Sequence, residues 1–429
     1  MANELKYGVR DLPRKWYEWI LYTFQMVLAV FVATVLIANI CGTPIPTCLI
    51  SASIGTLLYA VITKFKSPMF ISSCGATVSA VTGALAGATM GNYIYVAIGG
   101  LVILLVYLAF ALIVKFGGKA TFDKIFPPAV VGAITIVIGL NLAGFLQGYV
   151  KGASATIDTV PMLVALFTMF ATALTSHYLK GFWKTIAFLI GLLSGYVLAL
   201  ILEVSGAYDF GIVAKFGTMR WIQADDFVFM KWDSSTLTWR GVLDAILLFL
   251  PVSICAALEH YSDHKTLSNI IGTDLTQDPG LSRTLIGDGV ASAVGTMIGG
   301  QPNTSYGESI ATIGFSRVTS VWVTIAAAIT LGVMGLIAPI TTFVDSIPSA
   351  VFGGCAMILY GYIAASGLKT LMNSKVDLEN NKNLIVVSVI LTVGVSGLFL
   401  FSESFTGVAL AMVLGVILNL ILIERKQKD

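Results

Sequence analysis

Long apolar stretches separated by short polar loops fill most of the chain. A membrane-spanning helix needs about 20 mostly apolar residues. Clear candidates lie near residues 18–41, 48–64, 93–116, 128–147, 160–178, 184–204, 241–261, 317–339, 348–367, 383–400 and 405–424. Shorter or glycine-rich candidates lie near 76–90, 285–300 and 307–316, so the pattern predicts 14 transmembrane segments.

Composition supports the same class of protein. Of the 429 residues, 57% are hydrophobic and only 11% are charged, and the mean hydropathy is +0.89. Soluble domains carry about one quarter charged residues. We therefore expect an all-α polytopic protein of the lipid bilayer. The net charge of +2 is spread over short loops and forms no basic stripe that would bind nucleic acid.

Basic residues predict the orientation of the chain. Lysine and arginine favour the cytoplasmic side of a membrane, and both ends of this chain are basic. The N-terminal group is Lys6, Arg10, Arg14 and Lys15, and the C-terminal group is Arg425, Lys426 and Lys428. Loops with Lys64 and Lys66, or with Lys180 and Lys184, fall on the same side. We expect a multi-pass protein of the cytoplasmic (inner) membrane with both termini in the cytoplasm.

Residues 299–308 interrupt this apolar pattern with a polar, helix-breaking segment that ends at Gly307 and Glu308. Irregular backbone at membrane depth is tolerated only inside protein or along a cavity, and an ionisable residue there indicates a functional site. The segment therefore predicts a broken-helix transport site. The alternative is a structural carboxylate satisfied by the N–H groups of its own helix.

Two short motifs recur in the same order. Residues 127–132 (PPAVVG) resemble residues 348–353 (PSAVFG), and residues 73–76 (SCGA) resemble residues 305–308 (SYGE). Loop counting gives the two members of each pair opposite directions across the membrane. The pattern favours two inverted seven-helix repeats whose interrupted elements meet, although small-residue motifs can also recur by chance.

A second candidate carboxylate is Glu259, which follows an apolar run of nearly bilayer length. Counting alone leaves it either inside the membrane or at the cytoplasmic interface. Asp263 lies four residues later, on the same helix face. The nearest cation to Glu308 in sequence is Arg317. Buried acids without basic partners predict a site that carries a proton together with a neutral substrate.

Motifs for other chemistry are missing from the sequence. We find no nucleophile elbow, phosphate loop or zinc motif, and the five cysteines have no metal or disulfide spacing. We therefore expect no cofactor and no metal, and no enzymatic activity. For His260 and His264, a role in a satisfied hydrogen-bond network is favoured over a role as ligands.

Several motifs together resemble the nucleobase–ascorbate (nucleobase–cation symporter) transporter family, which includes uracil permeases. They are Glu259-His260, residues 278–283 (DPGLSR), residues 302–308 (PNTSYGE), residues 126–128 (FPP) and residues 374–377 (SKVD). The resemblance implies two inverted seven-helix repeats with short strands interrupting helices 3 and 10. It implies a core domain from residues 1–116 and 241–339, a gate domain from residues 117–240 and 340–429, and dimerisation through the gate.

The resemblance also implies a set of binding residues. The two substrate-binding glutamates of the family fall on Glu259 and Glu308, and the backbone contributions fall on Ala33, Gly75, Tyr306 and Gly307. Characterised uracil carriers often have an aromatic residue where this chain has Gly75. A histidine linked to proton coupling is replaced by Asp263.

These observations together favour a proton-coupled nucleobase symporter that imports uracil by alternating access. Glu259 would hold the base, Glu308 would bind it while exchanging the proton, and Asp263 would relay the proton. Xanthine or another purine base is the alternative substrate. An anion exchanger of the same architecture would need a cation at the interrupted helices, and an intramembrane enzyme would need a nucleophile–base pair or a metal set.

Overall fold

The computed structural model describes residues 5–86, 90–125, 127–151, 157–216, 237–398 and 407–422. Within these ranges the chain is almost entirely helical, with one two-stranded sheet. The basic C-terminal residues Arg425, Lys426 and Lys428, the motif residue Phe126, and residues 217–236 of the gate-domain loop lie outside the described residues.

The elements follow one another in a simple order. The first half contains α1 (Trp16–Cys41), α2 (Ile45–Ile62), β1 (Ile71–Ser73), α3 (Val78–Ala86), α4 (Tyr93–Ile125), α5 (Pro128–Leu142), α6 (Leu146–Tyr149), α7 (Thr159–Tyr178), α8 (Phe182–Thr185), α9 (Ala187–Val204) and α10 (Ile212–Phe216). The second half contains α11 (Trp239–Ile271), α12 (Leu281–Met297), β2 (Asn303–Ser305), α13 (Gly307–Ser316), α14 (Val321–Leu336), α15 (Ala338–Asp345), α16 (Ser349–Asn373), α17 (Asn381–Val395) and α18 (Gly407–Ile421).

Eight of the described helices are long and apolar enough to span a membrane. They are α1, α2, α4, α7, α9, α11, α16 and the segment Pro128–Tyr149 that joins α5 to α6. The chain is therefore a multi-pass helical membrane protein. The other predicted segments correspond to α3, α12, α13, α14, α17 and α18, helices of 9 to 17 residues. The count of 14 spans stays a prediction.

Two predicted segments end well before their helices do. The segment predicted near 93–116 continues as α4 to Ile125. The segment predicted near 241–261 is a single helix, α11, which continues to Ile271 and ends at Gly272 in a left-handed conformation with φ of 80°. The prediction ended early because residues 262–269 are mostly polar, and hydropathy does not distinguish a polar helix end from a loop. Glu259 and Asp263 therefore both lie inside a continuous helix.

The two polar interruptions meet as a short antiparallel sheet. Ile71 pairs with Ser305 and Ser73 pairs with Asn303, and Cys74 N–H donates to the carbonyl of Pro302 at 2.8 Å. Each strand is followed by one extended residue and then by a helical turn, which begins at Gly75 after β1 and at Gly307 after β2. The pairing satisfies backbone groups that lipid could not satisfy.

Side chains of neighbouring helices hold β2 in place. Nδ2 of Asn303 donates to the hydroxyl of Ser51 on α2 at 2.8 Å and to the carbonyl of Ala291 on α12 at 3.3 Å. The Ser292 hydroxyl donates to the carbonyl of Asn303. These contacts fix the position of the residues that immediately precede α13.

Two sets of helices pack mainly within themselves. In the first helix set, α1–α4 pack with α11–α14; in the second helix set, α5, α7 and α9 pack with α16–α18. Close approach of α4 to α12 depends on small residues, since a side chain at Gly100 would overlap Thr296. The first helix set contains both strands, so it carries the interrupted elements.

The N-terminal segment closes one face of the first helix set. Tyr7 forms a parallel bridge with Val318, and the carbonyl of Tyr7 accepts from Thr319 N–H at 3.0 Å. The Tyr7 hydroxyl donates to Glu18 at 2.6 Å, and Lys6 lies 3.1 Å from the same carboxylate. The segment therefore ties the start of α1 to the end of α13.

Candidate functional site

A cavity of about 390 Å³ lies between the two helix sets. This volume lies in the range of small-molecule sites, roughly 300–1,000 Å³. One wall consists of residues from α11, α13 and the turn after β1, and the opposite wall consists of residues from α5, α7 and α16. The cavity thus lies directly at the ends of the paired strands.

Glu259 and Glu308 both face this cavity. Glu259 is accessible from it, whereas its neighbours Leu258 and His260 on α11 are buried. Glu308 is the second residue of α13. Neither carboxylate forms an ion pair with a lysine, arginine or histidine of the described residues. Two carboxylates from different helices therefore share one cavity without a bonded cation.

Asp263 lines the same cavity one turn after Glu259. Its carboxylate accepts a hydrogen bond from the Ser305 hydroxyl at 2.9 Å. Since Ser305 is the last residue of β2, this bond links α11 to the strand that leads into Glu308.

Gly75 and Gly307 leave the helix starts open to the cavity. A side chain added at Gly307 would meet no atom within 4 Å, and one at Gly75 would meet only Cδ1 of Ile363, at 3.6 Å. Both residues line the cavity. The first N–H groups of a helix have no partner within the helix, and the positive end of the helix dipole favours acceptor atoms there.

The other two predicted residues lie at the edge of this arrangement. The Tyr306 side chain is buried and does not line the cavity, although its backbone immediately precedes α13. Ala33 on α1 lines a second cavity of about 20 Å³, which also contacts Glu308, Phe188 and Leu359. Glu308 therefore borders both cavities. Ala33 lines the small cavity and is linked to the large one by Glu308.

A buried polar network behind the cavity includes a carboxylate that the sequence reasoning did not single out. Asp288 on α12 is fully buried and lies 2.6 Å from Nδ1 of His260. It also accepts from the Thr304 hydroxyl at 3.1 Å and from Ser305 N–H at 3.3 Å. An acid within an apolar segment was the available signal, and Asp288 lies within the predicted segment 285–300.

The network continues from His260 to a second histidine. Nδ1 of His264 lies 2.9 Å from the carbonyl of His260, and Nε2 of His264 lies 2.6 Å from the Tyr59 hydroxyl. Both imidazoles are fully buried. His264 is satisfied at both ring nitrogens, as expected, whereas Nε2 of His260 is buried without a hydrogen-bond partner among the described residues. The contacts join α2, α11, α12 and β2 behind the two carboxylates.

Comparison with known proteins gives consistent matches over almost the whole chain. A family model described as "Permease family" (Xan_ur_permease) matches residues 17–403. The chain is 37% identical to the uracil permease of Bacillus caldolyticus, covering 96% of this chain and 93% of that protein. It is 36% identical to the uracil permease of Bacillus subtilis (strain 168), covering 100% and 97%. It is 35% identical to that of Escherichia coli (strain K12), covering 93% and 90%.

Solved structures of similar fold are more distant in sequence. The transmembrane domain of the cyanobacterial bicarbonate transporter BicA matches with a TM-score of 0.61 at 15% identity, covering 96% of this chain and 98% of that chain. SLC26A9 matches with a TM-score of 0.66 at 13% identity, covering 94% and 66%. These matches show a shared transporter fold. The family model and the uracil permease relatives show that the chain belongs to the Xan_ur_permease family of permeases.

Proposed function

We propose that this protein is a proton-coupled nucleobase symporter that imports uracil across the cytoplasmic membrane by alternating access. The observation that carries the proposal is the convergence of Glu259 and Glu308 on one cavity at the ends of two paired strands. Relatives named uracil permeases, 35–37% identical over most of both chains, support the substrate.

The chemistry of the cavity matches a nucleobase. Uracil is neutral and flat, and its edge alternates N–H donors with carbonyl acceptors. Glu259 and Glu308 accept hydrogen bonds from the N–H groups, and the helix-start N–H groups at Gly75 and Gly307 donate to the carbonyls. The backbone at Ala33 and Tyr306 completes the site. Each hydrogen bond contributes about 1 kcal/mol net, and an unpaired buried partner costs about 1–3 kcal/mol, so the pattern of donors and acceptors selects the base.

Proton coupling is assigned to Glu308 and Asp263. Glu308 binds the base and exchanges the proton, and Asp263 relays the proton towards the cytoplasm. The contact between Asp263 and Ser305 supports this role because it connects the relay to the strand before Glu308. Protons and the nucleobase are thus the transported partners.

The architecture we propose is two inverted seven-helix repeats with 14 spans. In each half, a strand is followed by one extended residue and then by a helical turn, which begins at Gly75 in the first half and at Gly307 in the second. This match supports the repeat. The core domain would comprise residues 1–116 and 241–339, and the gate domain residues 117–240 and 340–429. Both termini are cytoplasmic, and a homodimer forms through the gate.

A purine base such as xanthine is the second candidate substrate, and the open space at Gly75 favours it. An aromatic side chain at this position would narrow the cavity, and glycine leaves room for a second ring. Anion exchange has less support. It rests on the fold shared with BicA and SLC26A9, whereas Glu259, Asp263 and Glu308 would repel an anion in the cavity.

Uptake of radiolabelled uracil into proteoliposomes tests the proposed function. Uptake should rise with an inward proton gradient and fall to the level without a gradient when an uncoupler is added. Transport of uracil that ignores the gradient would reject the coupling, and no transport of uracil or xanthine would reject the nucleobase assignment.

A further inference from the structure

The lining of the cavity that contains the three carboxylates also contains a cation. Lys184 lies on α8, the short helix between α7 and α9, and its side chain lines the cavity together with Glu259, Asp263 and Glu308. Among the described residues that line the cavity, Lys184 is the one lysine or arginine. The charge pattern predicts a cytoplasmic position for Lys184, at the start of the segment near 184–204.

In this conformation Lys184 remains available for pairing. Its side chain is exposed, and within the described residues it forms no hydrogen bond and no ion pair. An ammonium group that shares an open, water-accessible cavity with three carboxylates gains little from their attraction. Its attraction to them grows as the cleft closes and water leaves, because the interaction of two charges rises as the local dielectric constant falls.

The fold indicates which carboxylate Lys184 would meet. Its helix, α8, packs against α13, the helix that begins with Gly307 and Glu308. Phe188, four residues after Lys184, lines both the large and the small cavity, as Glu308 does. Glu308 and the segment that carries Lys184 therefore border the same space between the two helix sets.

We propose that Lys184 is the counter-cation of Glu308 in the empty transporter, a role that rests on the proposed function. When no base is bound and Glu308 has lost its proton, closing the cleft would bury an ionised carboxylate, which is costly unless it is paired. An ion pair with Lys184 removes that cost, so that the empty protein can close and expose its binding site to the outer side again. When the base and the proton are bound, Glu308 is already satisfied and the loaded protein does not need Lys184.

This assignment separates two modes of transport. Net uptake requires the empty binding site to become accessible again from the outer side of the membrane. Exchange of labelled for unlabelled uracil requires only loaded states. Loss of the counter-cation should therefore slow net uptake and leave exchange intact, and a general folding defect would lower both.

The experiment compares wild type, Lys184→Gln, Lys184→Arg and Lys180→Gln in proteoliposomes. Lys180 is the matched control because it is an exposed lysine of the same connection that does not line the cavity. Net uptake is measured in empty vesicles under an inward proton gradient, and exchange is measured in vesicles preloaded with unlabelled uracil.

Lys184→Gln should lower net uptake by about tenfold or more, because the unpaired carboxylate must then be buried, and should keep exchange within about twofold of wild type. Lys184→Arg and Lys180→Gln should keep both rates. An equal loss of both rates in Lys184→Gln, or no loss of either, would overturn the assignment. Absence of both rates in wild type would instead reject the proposed function.

Discussion

At the scale of single residues, the proposed function depends on the few side chains that line the cavity. Glu259 and Glu308 lie on different helices and bond to no basic side chain of the described residues. When the open cavity closes and water leaves, a carboxylate in it is costly unless it has a hydrogen-bond partner. A ligand with N–H donors supplies that partner, which is the physical reason to assign binding to these two residues.

The first prediction concerns Glu259→Gln. Glutamine has nearly the same size, but its amide nitrogen cannot accept a hydrogen bond from the base. Uracil affinity should fall on the order of tenfold or more, since loss of one buried partner costs about 1–3 kcal/mol. Isothermal titration calorimetry in detergent measures the change. Glu379→Gln, at an exposed acid far along the chain, is the control, and unchanged affinity in Glu259→Gln would remove the residue from the site.

The second prediction concerns Gly75→Phe. The backbone at Gly75 has an ordinary conformation, and a new side chain would enter open space beside Ile363. A phenyl ring there should stack on a single-ring base, worth about 1–3 kcal/mol per base in other proteins, and should exclude a purine by occupying the space for its second ring. The ratio of uracil to xanthine affinity should rise about tenfold or more.

Gly75→Ala is the matched control for this substitution, because a methyl group occupies little of the cavity. Competition by unlabelled bases against labelled uracil gives the ratio for both variants. A Gly75→Phe variant with the wild-type ratio would show that this position does not face the bound base.

At the scale of elements, the paired strands position the site. β2 is fixed by Asn303, by Ser292 and by the contacts of Ser305 with Asp263 and Asp288. Because α13 begins two residues after β2, these bonds determine where Glu308 lies. The arrangement satisfies backbone groups inside the membrane and aims two helix starts at one cavity.

The third prediction follows from this arrangement. Asn303→Ala removes the hydrogen bonds from Nδ2 to Ser51 and Ala291 that hold β2 against α2 and α12. Their loss should lower the free energy of unfolding by about 1–3 kcal/mol. Both the thermal unfolding temperature and the uracil affinity should fall. Asn381→Ala, at an exposed residue of α17, should change neither. Lower stability with wild-type affinity would show that β2 does not position the site.

Much of this level of structure could be predicted from the sequence. Each predicted apolar segment overlaps a described helix, and the polar stretch before Gly307 contains a strand that pairs with β1. The end of α11 was missed because its last turns are polar, and hydropathy measures contact with lipid and carries little information about helix formation. The resemblance supplied the strands, since runs of three residues carry no periodic signal of their own.

Some residues of the candidate site could be predicted from the sequence, and others could not. An acid beside a helix break could be recognised from the sequence alone, as Glu308 was. The sequence left open whether Glu259 faces the membrane interior or the interface. In the structure it shares the cavity with Glu308. Asp288 and Lys184 could not be singled out from the sequence because their surroundings are formed by elements distant in sequence, α12 with β2 and α8 with α13.

At the scale of the whole molecule, the cleft between the two helix sets is the feature that suits alternating access. The first helix set carries Glu259, Asp263 and Glu308, and the second contributes the opposite wall. Relative motion of two packed bodies around a site between them exposes that site to one side at a time. The chain shares its fold with BicA and SLC26A9.

The fourth prediction concerns which ligand stabilises the whole protein. A ligand that binds the folded state raises its stability by mass action, by about 2.7 kcal/mol at 100 times its Kd. In a thermal-shift panel, uracil should raise the unfolding temperature most, xanthine less, and bicarbonate not at all. A shift with bicarbonate alone would favour an anion exchanger over a nucleobase transporter.

The most direct test of the central claim is an experimental structure of the protein with uracil bound. We expect density for the base in the cavity between Glu259 and Glu308, within hydrogen-bond distance of both carboxylates and of the N–H groups at Gly75 and Gly307. Density for uracil at another place, or a base in the cavity that touches neither carboxylate, would contradict it.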